Sequence, residues 1–436
     1  MIRILKCGEV ADGDILARAI PAADVGDVVA EIIADVRENG DAALKKYTEK
    51  FDGARLEALA VTPAEIEAAV AQVAPEFIGI LEKAAGNIRA FHSRQLRNGF
   101  IINDEPGVVV GQKVIPMDRA GVYVPGGTAA YPSTVLMDLI PAKIAGVREI
   151  IMTTPPRRDG SVDPAILAAA RVAGADRIFK SGGAQAIAAL AYGTESVPRV
   201  DKIVGPGNAF VAEAKKQVFG AVSIDMIAGP SEILVIADGR TNPRWCAADL
   251  LAQAEHDRMA SAVLITDSMA LARAVQAEIE RQLPELERSE IARAAIENNG
   301  KIIVADTLAK AVEIANAIAP EHLELCVDAP FDYLDGIRHA GSVFLGRHCP
   351  EALGDYFAGP NHTLPTGGTA RYASPLSVDE FVKKSSVIQY SSQALARDAD
   401  MVTTIARHEG LWAHAMSVEM RKNLLDTGNV YGIEGG

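Results

Sequence analysis

The chain has 436 residues, which is too long for one ordinary hydrophobic core and predicts two to three domains. Apolar residues make up 49% and charged residues 23%, a balance that excludes a disordered chain. The few aromatic residues (5%) favour an α/β protein whose Ala-rich helices cover Val- and Ile-rich strands. The 43 basic and 57 acidic residues give a formal net charge of −14, which argues against nucleic acid and anionic lipid as partners.

The N-terminal segment, residues 1–20, begins MIRILKCGEVADGD and turns polar too soon for the apolar core of a signal peptide. No uncharged apolar stretch of the sequence is long enough to span a membrane. The four cysteines have no regular spacing, which is typical of reduced thiols rather than of a disulfide framework. We therefore expect a cytoplasmic protein.

Helical patterns dominate the first hundred residues. Residues 23–51 repeat apolar side chains at three- and four-residue intervals, and Thr62 with Pro63 begins a helical run that continues to about residue 97. Residues 107–117 then predict a hairpin-like section. We expect residues 21–120 to join residues 231–376 in a first, discontinuous α/β domain.

Residues 121–230 alternate short apolar strands with helices, which predicts βαβ crossovers, a parallel sheet and a second α/β domain. Three of its strand-to-helix turns are rich in glycine: PGGT at 125–128, SGGA at 181–184 and GPGN at 205–208. Such turns expose backbone N–H groups where phosphate or carboxylate can bind. One such turn often only relieves backbone strain, but three in succession favour a ligand-binding edge. They do not name a nucleotide, because no GxGxxG fingerprint is present.

A second, shorter α/β run follows, with strands predicted at about 262–266, 301–304 and 323–327. Residues 377–436 return to helical patterns and predict a small helical C-terminal domain. The predicted fold is therefore α/β, with two incomplete Rossmann-like parallel-sheet domains, a helical N-terminal segment and the small C-terminal domain.

Two short polar motifs could carry chemistry. A helix beginning at Asn242-Pro243 places Gln253 and His256 three residues apart on one face, where they could bind one metal ion or form an ordinary solvated pair. Glu321 and His322 stand before an apolar strand, where they could act as general acid and base or only cap a helix end.

Further candidates lie in the last hundred residues. The Gly/Pro-rich stretch of residues 354–368 carries Asp355 and His362, and loops of that length are usually functional or mobile. Glu409 and His414 are five residues apart, which is not a same-face spacing on a helix. No HExxH or GxSxG motif and no activated cysteine is present, so none of these clusters is decisive by itself.

Taken together, these segments resemble the histidinol dehydrogenase family over nearly the whole chain. Nine blocks carry the resemblance, in order and at family-like spacing: GVYVPGG (121–127), STVLM (133–137), SGGAQAIAALAYGTESVP (181–198), VGPGNAFV (204–211), DMIAGPSE (225–232), QAEHD (253–257), PEHLEL (320–325), GDYFAGPNHTLPTGG (354–368) and EGLWAHAMSVEMR (409–421). Nine ordered blocks are far more specific than any one motif.

The resemblance implies a site shared between the two subunits of a homodimer. One zinc ion per subunit would be held by Gln253, His256 and Asp355 of one chain and by His414 of its neighbour. NAD would contact Tyr123, Gln185 and Asn208, which lie at the glycine-rich turns. The substrate contacts implied are Ser231, Gln253, His256, His322, Asp355, His362, Glu409 and His414.

The family reaction implied is the four-electron oxidation of L-histidinol through L-histidinaldehyde to L-histidine with two NAD, the last steps of histidine biosynthesis. His322 would take the hydroxyl proton, and Glu321 would activate the water that adds to the aldehyde. Three alternatives remain. A zinc hydrolase would leave the three glycine-rich turns unexplained, and a relative that oxidises a sulfonated diol should need basic rather than acidic residues in its pocket. A non-enzymatic scaffold is disfavoured because every expected polar residue is present.

Overall fold

A computed structural model describes residues 1–18, 25–126 and 130–427. Within these ranges the strands are β1 (Arg3–Lys6), β2 (Phe100–Ile102), β3 (Val108–Pro116), β4 (Arg119–Tyr123), β5 (Glu149–Thr154), β6 (Arg177–Lys180), β7 (Lys202–Val204), β8 (Ser223–Ile224), β9 (Glu232–Ala237), β10 (Ser261–Thr266), β11 (Lys301–Val304), β12 (His322–Cys326), β13 (Ser342–Leu345) and β14 (Val382–Tyr390). Most of them belong to two separate parallel sheets.

The helices in the same ranges are α1 (Asp12–Leu16), α2 (Gly26–Asp52), α3 (Pro63–Val70), α4 (Pro75–His92), α5 (Pro132–Ala145), α6 (Pro164–Ala173), α7 (Gly183–Tyr192), α8 (Ala209–Val218), α9 (Pro243–Ala254), α10 (Met269–Gln282), α11 (Ser289–Asn298), α12 (Leu308–Ile318), α13 (Phe331–Leu334), α14 (Glu351–Leu353), α15 (Ser392–His408) and α16 (Trp412–Thr427). The run expected from Thr62 to about residue 97 is two helices, because Pro75 begins a new one. Among these described helices, none combines the length and apolar character needed to cross a bilayer.

The five-stranded sheet has the order β6-β5-β4-β7-β8, with all pairs parallel. From β4 the chain proceeds outward through β5 to β6, then returns to the other side of β4 with β7 and β8. The order therefore reverses between β4 and β7, and ligands of open α/β sheets bind at the carboxyl ends of strands at such a point. The first and third glycine-rich turns follow β4 and β7, which places them at this reversal.

The six-stranded sheet has the order β1-β11-β10-β9-β12-β13 and repeats the same reversal between β9 and β12. Its central strand β9 has the sequence EILVIA, whose residues alternate between two cores: Ile233 and Val235 pack in one, Leu234 and Ile236 in the other. Burial on both faces explains the uninterrupted apolar run. The strand β1, from the predicted N-terminal segment, pairs with β11 at the edge of this sheet.

The helices α2, α3 and α4 pack against helices of the five-stranded sheet, with contacts from α2 to α7 and α8, from α3 to α6, and from α4 to α5 and α6. These contacts differ from the grouping of residues 21–120 with 231–376 expected from the sequence. The apolar stripe of α2, which includes Val29, Ile32 and Leu44, is buried in one core with Ile187 and Leu190 of α7. The domain boundaries as a whole remain a prediction.

The chain divides into two compact units, a larger one of residues 1–96 and 116–381 and a smaller one of residues 97–115 and 382–436. The smaller unit contains a sheet of order β14-β3-β2 and the helix pair α15–α16. The C-terminal region is therefore not purely helical: β14 is a nine-residue strand whose side chains are mostly exposed, so it lacks the apolar pattern by which a buried strand is recognised.

Candidate active site

Glu321 and His322 stand at the amino end of β12, beside the amino end of its neighbour β9. The Nδ1 atom of His322 lies 3.0 Å from the carbonyl oxygen of Glu232, and the backbone N–H of Glu232 donates to Oε2 of Glu321 at 2.8 Å. Because a carbonyl oxygen only accepts, the hydrogen bond requires the proton on Nδ1. In the neutral ring, Nε2 is therefore the nitrogen with a free lone pair.

The Nε2 atom of His322 faces two carboxylates, lying 3.4 Å from Oδ1 of Asp355 and 3.7 Å from Oε1 of Glu351. It is buried and makes no well-aligned hydrogen bond to any described residue. Asp355 lies on a π-helical turn, Gly354–Ala358, which continues directly from α14. Such turns recur at functional sites, and here the turn carries the carboxylate to the imidazole.

The last two turns of α9 carry polar side chains against β12. Asp249 and Gln253 are four residues apart and share one helix face, and His322 and Glu324 are two apart and share one strand face. Four helical residues rise about 6 Å and two strand residues about 6.6 Å, so the two pairs can face each other in register. Asp249 hydrogen-bonds Glu324, and the Gln253 amide lies beside His322 and Glu351.

Burial and mutual charge shift the pKa values of these groups. Burial raises the pKa of Glu321 to about 8 and that of Glu351 to about 7. Burial alone would lower the pKa of His322, but the Glu351, Glu321 and Asp355 carboxylates outweigh it and raise the pKa well above its usual value. The His322 imidazole in turn outweighs burial at Asp355 and lowers the pKa of that carboxyl. Imidazole and carboxylates therefore form one coupled cluster.

His256 continues the end of α9 by one turn, its backbone N–H donating to the Gln253 carbonyl at 3.2 Å. Burial lowers its pKa, while Asp355 and His322 act on it with opposite signs, so it lies within electrostatic reach of both. Ser231 precedes β9 and accepts a backbone hydrogen bond from Ser261 at 2.9 Å. The structure thus brings Gln253, His256, Glu321, His322 and Asp355 into one region of the larger unit.

The ring of His362 is held by hydrogen bonds at both nitrogens. Its Nδ1 lies 3.0 Å from the backbone oxygen of Asp355, and its Nε2 lies 3.2 Å from Oγ1 of Thr134 on α5. The same helix binds the neighbouring residues, since its Asp138 carboxylate accepts from Oγ1 of Thr363 at 2.7 Å. Helix α5, which begins beyond the first glycine-rich turn, therefore positions the segment that follows Asp355.

The expected cofactor contacts lie around the carboxyl edge of the five-stranded sheet. Tyr123 ends β4, and its hydroxyl oxygen accepts a hydrogen bond from the backbone N–H of Gly183 at 3.2 Å, at the start of α7. Gln185 is buried on that first turn, and its Oε1 has no hydrogen-bond partner among the described residues. The first turn, PGGT, is described only as far as Gly126; Gly127 and Thr128 lie outside the described residues.

The third turn requires glycine at Gly205. Its φ is +112°, and a Cβ there would lie 2.1 Å from the carbonyl oxygen of Tyr123. Asp225 accepts the backbone N–H of Gly205 at 2.8 Å, and the buried Lys215 ammonium donates to the Gly205 carbonyl at 3.0 Å. Asn208 caps α8, its side-chain oxygen accepting from two backbone N–H groups. The turn is thus fixed from both sides.

Glu409 and His414, the remaining expected site residues, lie in the smaller unit. Glu409 caps the C-terminal end of α15, and His414 lies in the first turn of α16. Both side chains are exposed. Their participation in a site remains a prediction.

Sequence reasoning missed Glu351, Glu324, Asp249 and the backbone of Glu232. Two of them had a detectable signal, because Asp249 is four residues before Gln253 on its helix and Glu324 is two residues after His322 on its strand. Nothing local marks Glu351, whose place at the site is fixed by the hydrogen bond from its backbone N–H to Glu324.

Comparison with known proteins identifies the family. Residues 17–422 match the sequence model of histidinol dehydrogenase. The chain is 54% identical to the histidinol dehydrogenase of Clostridium acetobutylicum over 97% of this chain and 99% of that protein, and 57% identical to that of Geobacillus kaustophilus over 90% and 93%.

A solved structure agrees with the sequence relatives. The crystal structure of histidinol dehydrogenase from Elizabethkingia anophelis is 39% identical, covers 98% of this chain and 99% of its own, and superimposes with a TM-score of 0.92. Family membership makes the chain an oxidoreductase. The chain belongs to the histidinol dehydrogenase family.

Proposed function

We propose that this protein oxidises L-histidinol through L-histidinaldehyde to L-histidine with two NAD, as the last steps of histidine biosynthesis. The observation that carries the proposal is the Glu321–His322 pair, with His322 Nδ1 held by the Glu232 carbonyl and Nε2 3.4 Å from Asp355. A fixed imidazole beside a potential ligand carboxylate suits proton transfer at an alcohol bound to a metal.

Zinc suits the donor set. Gln253, His256 and Asp355 supply an amide oxygen, an imidazole nitrogen and a carboxylate oxygen, which are donors that zinc accepts, and His414 of the partner subunit would complete the ligands. Asp355 also belongs, with His322 and Glu351, to a group of three side chains whose possible ligand atoms lie within 4.8 Å of one another, and of the three only Asp355 is a ligand in this proposal. Bound zinc supplies a Lewis acid for the alcohol oxygen and an anchor for the substrate amine.

A dinucleotide suits the edge where β4 and β7 reverse the strand order. The backbone N–H groups that begin α7 and α8 can face a pyrophosphate, and the unpartnered Gln185 Oε1 offers an acceptor for a hydroxyl or amide. Tyr123, Gln185 and Asn208 would form the NAD contacts. Bound NAD supplies the hydride acceptor for both oxidations.

In its neutral form, His322 would accept the substrate hydroxyl proton at Nε2, since Nδ1 is committed to the Glu232 carbonyl. Glu321 would then act as the base that takes a proton from water as the water adds to the aldehyde. Its carboxylate is held by the Glu232 N–H and lies 3.7 Å from His322, so both proton carriers serve one face of the substrate.

The imidazole-bearing amino alcohol is cationic, and the acidic residues around the site favour that charge. Ser231, Gln253, His256, His322, Asp355 and His362 would contact it from one chain, with Glu409 and His414 of the partner subunit. Because both His362 nitrogens already have partners, direct contact with the substrate would require His362 to release Thr134. This carboxylate-rich pocket disfavours the anionic sulfonated diol.

A homodimer is supported by the surface of the smaller unit, which exposes Glu409, His414 and many large apolar side chains. Soluble proteins rarely leave so many apolar groups uncovered on one small unit unless a partner contacts them. The exposed side chains include Phe100, Ile101, Ile102, Ile388, Tyr390, Met401, Ile405, Leu411, Trp412, Met416 and Met420.

The decisive experiment adds L-histidinol to the purified protein with excess NAD and measures NADH absorbance against substrate consumed. We expect two NADH per substrate and histidine as the product. A zinc hydrolase would form no NADH. A diol oxidase would form NADH with the sulfonated diol but not with histidinol, and either result would remove the proposed activity.

The Glu321→Gln variant tests the water-activating role. We expect it to keep much of the alcohol oxidation, which needs His322, but to be slow in hydrating the aldehyde, because the amide cannot take a proton. The NADH yield per substrate in the first turnovers should then fall from two toward one, with aldehyde trapped as its semicarbazone. An unchanged yield of two would assign the water to another base.

A further inference from the structure

The buried Glu351 carboxylate lies beside one end of the Gln253 side-chain amide. In the orientation that suits its neighbours, the amide nitrogen lies 3.0 Å from Oε1 and 3.1 Å from Oε2 of Glu351, 3.3 Å from the carbonyl oxygen of Glu232, and 3.2 Å from Nδ1 of His322. Three of these four atoms are acceptors, and the proton on Nδ1 of His322 is already donated to the Glu232 carbonyl, so the nitrogen with its two hydrogens suits this end better than the oxygen does. The amide oxygen therefore occupies the opposite end of the planar group.

This orientation decides whether Gln253 can bind a cation at all. The terminal torsion of glutamine is broad and nearly two-fold, so the side chain by itself does not choose between its two amide orientations. In one orientation it offers an oxygen lone pair, and in the other two N–H donors that repel a cation. Groups outside the side chain must therefore determine the amide orientation of Gln253, and the neighbouring hydrogen-bond acceptors can do this.

Glu351 is itself held by a second pair of acids. Its backbone N–H donates to Oε1 of Glu324 at 2.8 Å, and Asp249 hydrogen-bonds the Glu324 carboxyl from α9. Asp249 lies on the same helix face as Gln253, one turn earlier. The side chains therefore close a ring from α9 through β12 and α14 back to α9, which fixes Glu351 relative to the amide it binds.

We propose that Glu351 is a positioning residue that turns the carbonyl oxygen of Gln253 toward the metal ion; the inference rests on the zinc site of the proposed function. Glu351 does not itself ligate the ion. It accepts the amide hydrogens, and Asp249 and Glu324 keep it in place to do so.

The experiment measures zinc affinity of the full-length protein, stripped of metal and titrated against a chromophoric chelator. We expect Glu351→Ala to bind zinc about 10- to 100-fold more weakly than wild type, as is usual when an outer hydrogen-bond partner of a ligand is lost. Glu351→Gln should restore most of the affinity, because its amide oxygen can still accept from Gln253. The control Glu149→Ala, which removes an acid paired with Arg119 in the five-stranded sheet, should bind as wild type.

Cobalt substitution separates positioning from ligation. We expect the visible absorption of the cobalt form of Glu351→Gln to match wild type, because the ligand atoms are unchanged. If Glu351→Gln lost as much zinc affinity as Glu351→Ala and its cobalt spectrum differed from wild type, Glu351 would be a ligand and the proposal would be overturned. Wild-type affinity in Glu351→Ala would overturn it too. Failure of wild type to bind zinc would instead remove the zinc site of the proposed function, and that titration is done first.

Discussion

Replacing His322 by asparagine is expected to lower kcat about 10²- to 10⁴-fold, the range that loss of a positioned acid–base group produces. The asparagine amide can take the place of Nδ1 and still donate to the Glu232 carbonyl, so the local backbone should be retained. It has no atom at the position of Nε2, however, and nothing that can take the hydroxyl proton there. Gln253, His256 and Asp355 are unchanged, so the variant should still contain zinc.

The measurement is the steady-state rate of NADH formation together with metal analysis of the same preparation. His348→Asn is the matched control, because His348 is an exposed histidine that packs against Trp245 and should tolerate the change. Undiminished turnover in His322→Asn would exclude the acid–base role. Loss of zinc along with the activity would show that the imidazole acts through the metal instead.

The Lys215→Met variant is expected to lose about 3–5 kcal/mol of unfolding free energy, since it removes one partner of a buried ion pair. The side chains of Lys215 and Asp225 are 2% and 1% exposed, and Lys215 also donates to the Gly205 carbonyl at 3.0 Å. Methionine fills the space but leaves the Asp225 carboxylate unpaired near Asp138.

Urea denaturation followed by circular dichroism measures this loss, and the neighbouring Lys216→Met is the control. Lys216 is 62% exposed and pairs with Glu213 on the surface of the same helix, so its removal should cost no more than about 1 kcal/mol. Equal effects of the two substitutions would contradict a specific role for the buried pair. Because Lys215 and Asp225 fix the Gly205 turn, a raised KM for NAD should accompany the stability loss.

The sequence was most informative where local rules and packing agree. In residues 121–230, strands buried on both faces are apolar runs bounded by glycine, and helices begin at caps such as Asp163 and Asn208. The alternation of strands and helices predicted there is present from β4 to α8. The motif blocks also identified the family, which the comparisons confirm.

Short or exposed elements are harder to predict from the sequence pattern. The strand β1 has only four residues and gains its stability from pairing with β11, about three hundred positions away in the chain. The exposed β14 has no buried face to impose a pattern. The apolar stripes of α2, α3 and α4 do not by themselves specify which of the two sheets they cover: residues 21–120 were expected to join residues 231–376, whereas these helices contact α5 to α8.

The linear chain alone therefore determined the fold class, the family and the side chains able to supply acid–base and ligand chemistry. Tertiary structure decided how those groups are oriented: the Glu232 carbonyl selects the proton-bearing nitrogen of His322, and acceptors of Glu232 and Glu351 surround one end of the Gln253 amide. Both selections depend on acceptors about 20 to 100 residues distant, across strands and helices whose contact no local pattern encodes. Residue type is a property of the sequence, whereas hydrogen-bond direction is a property of the packed neighbourhood.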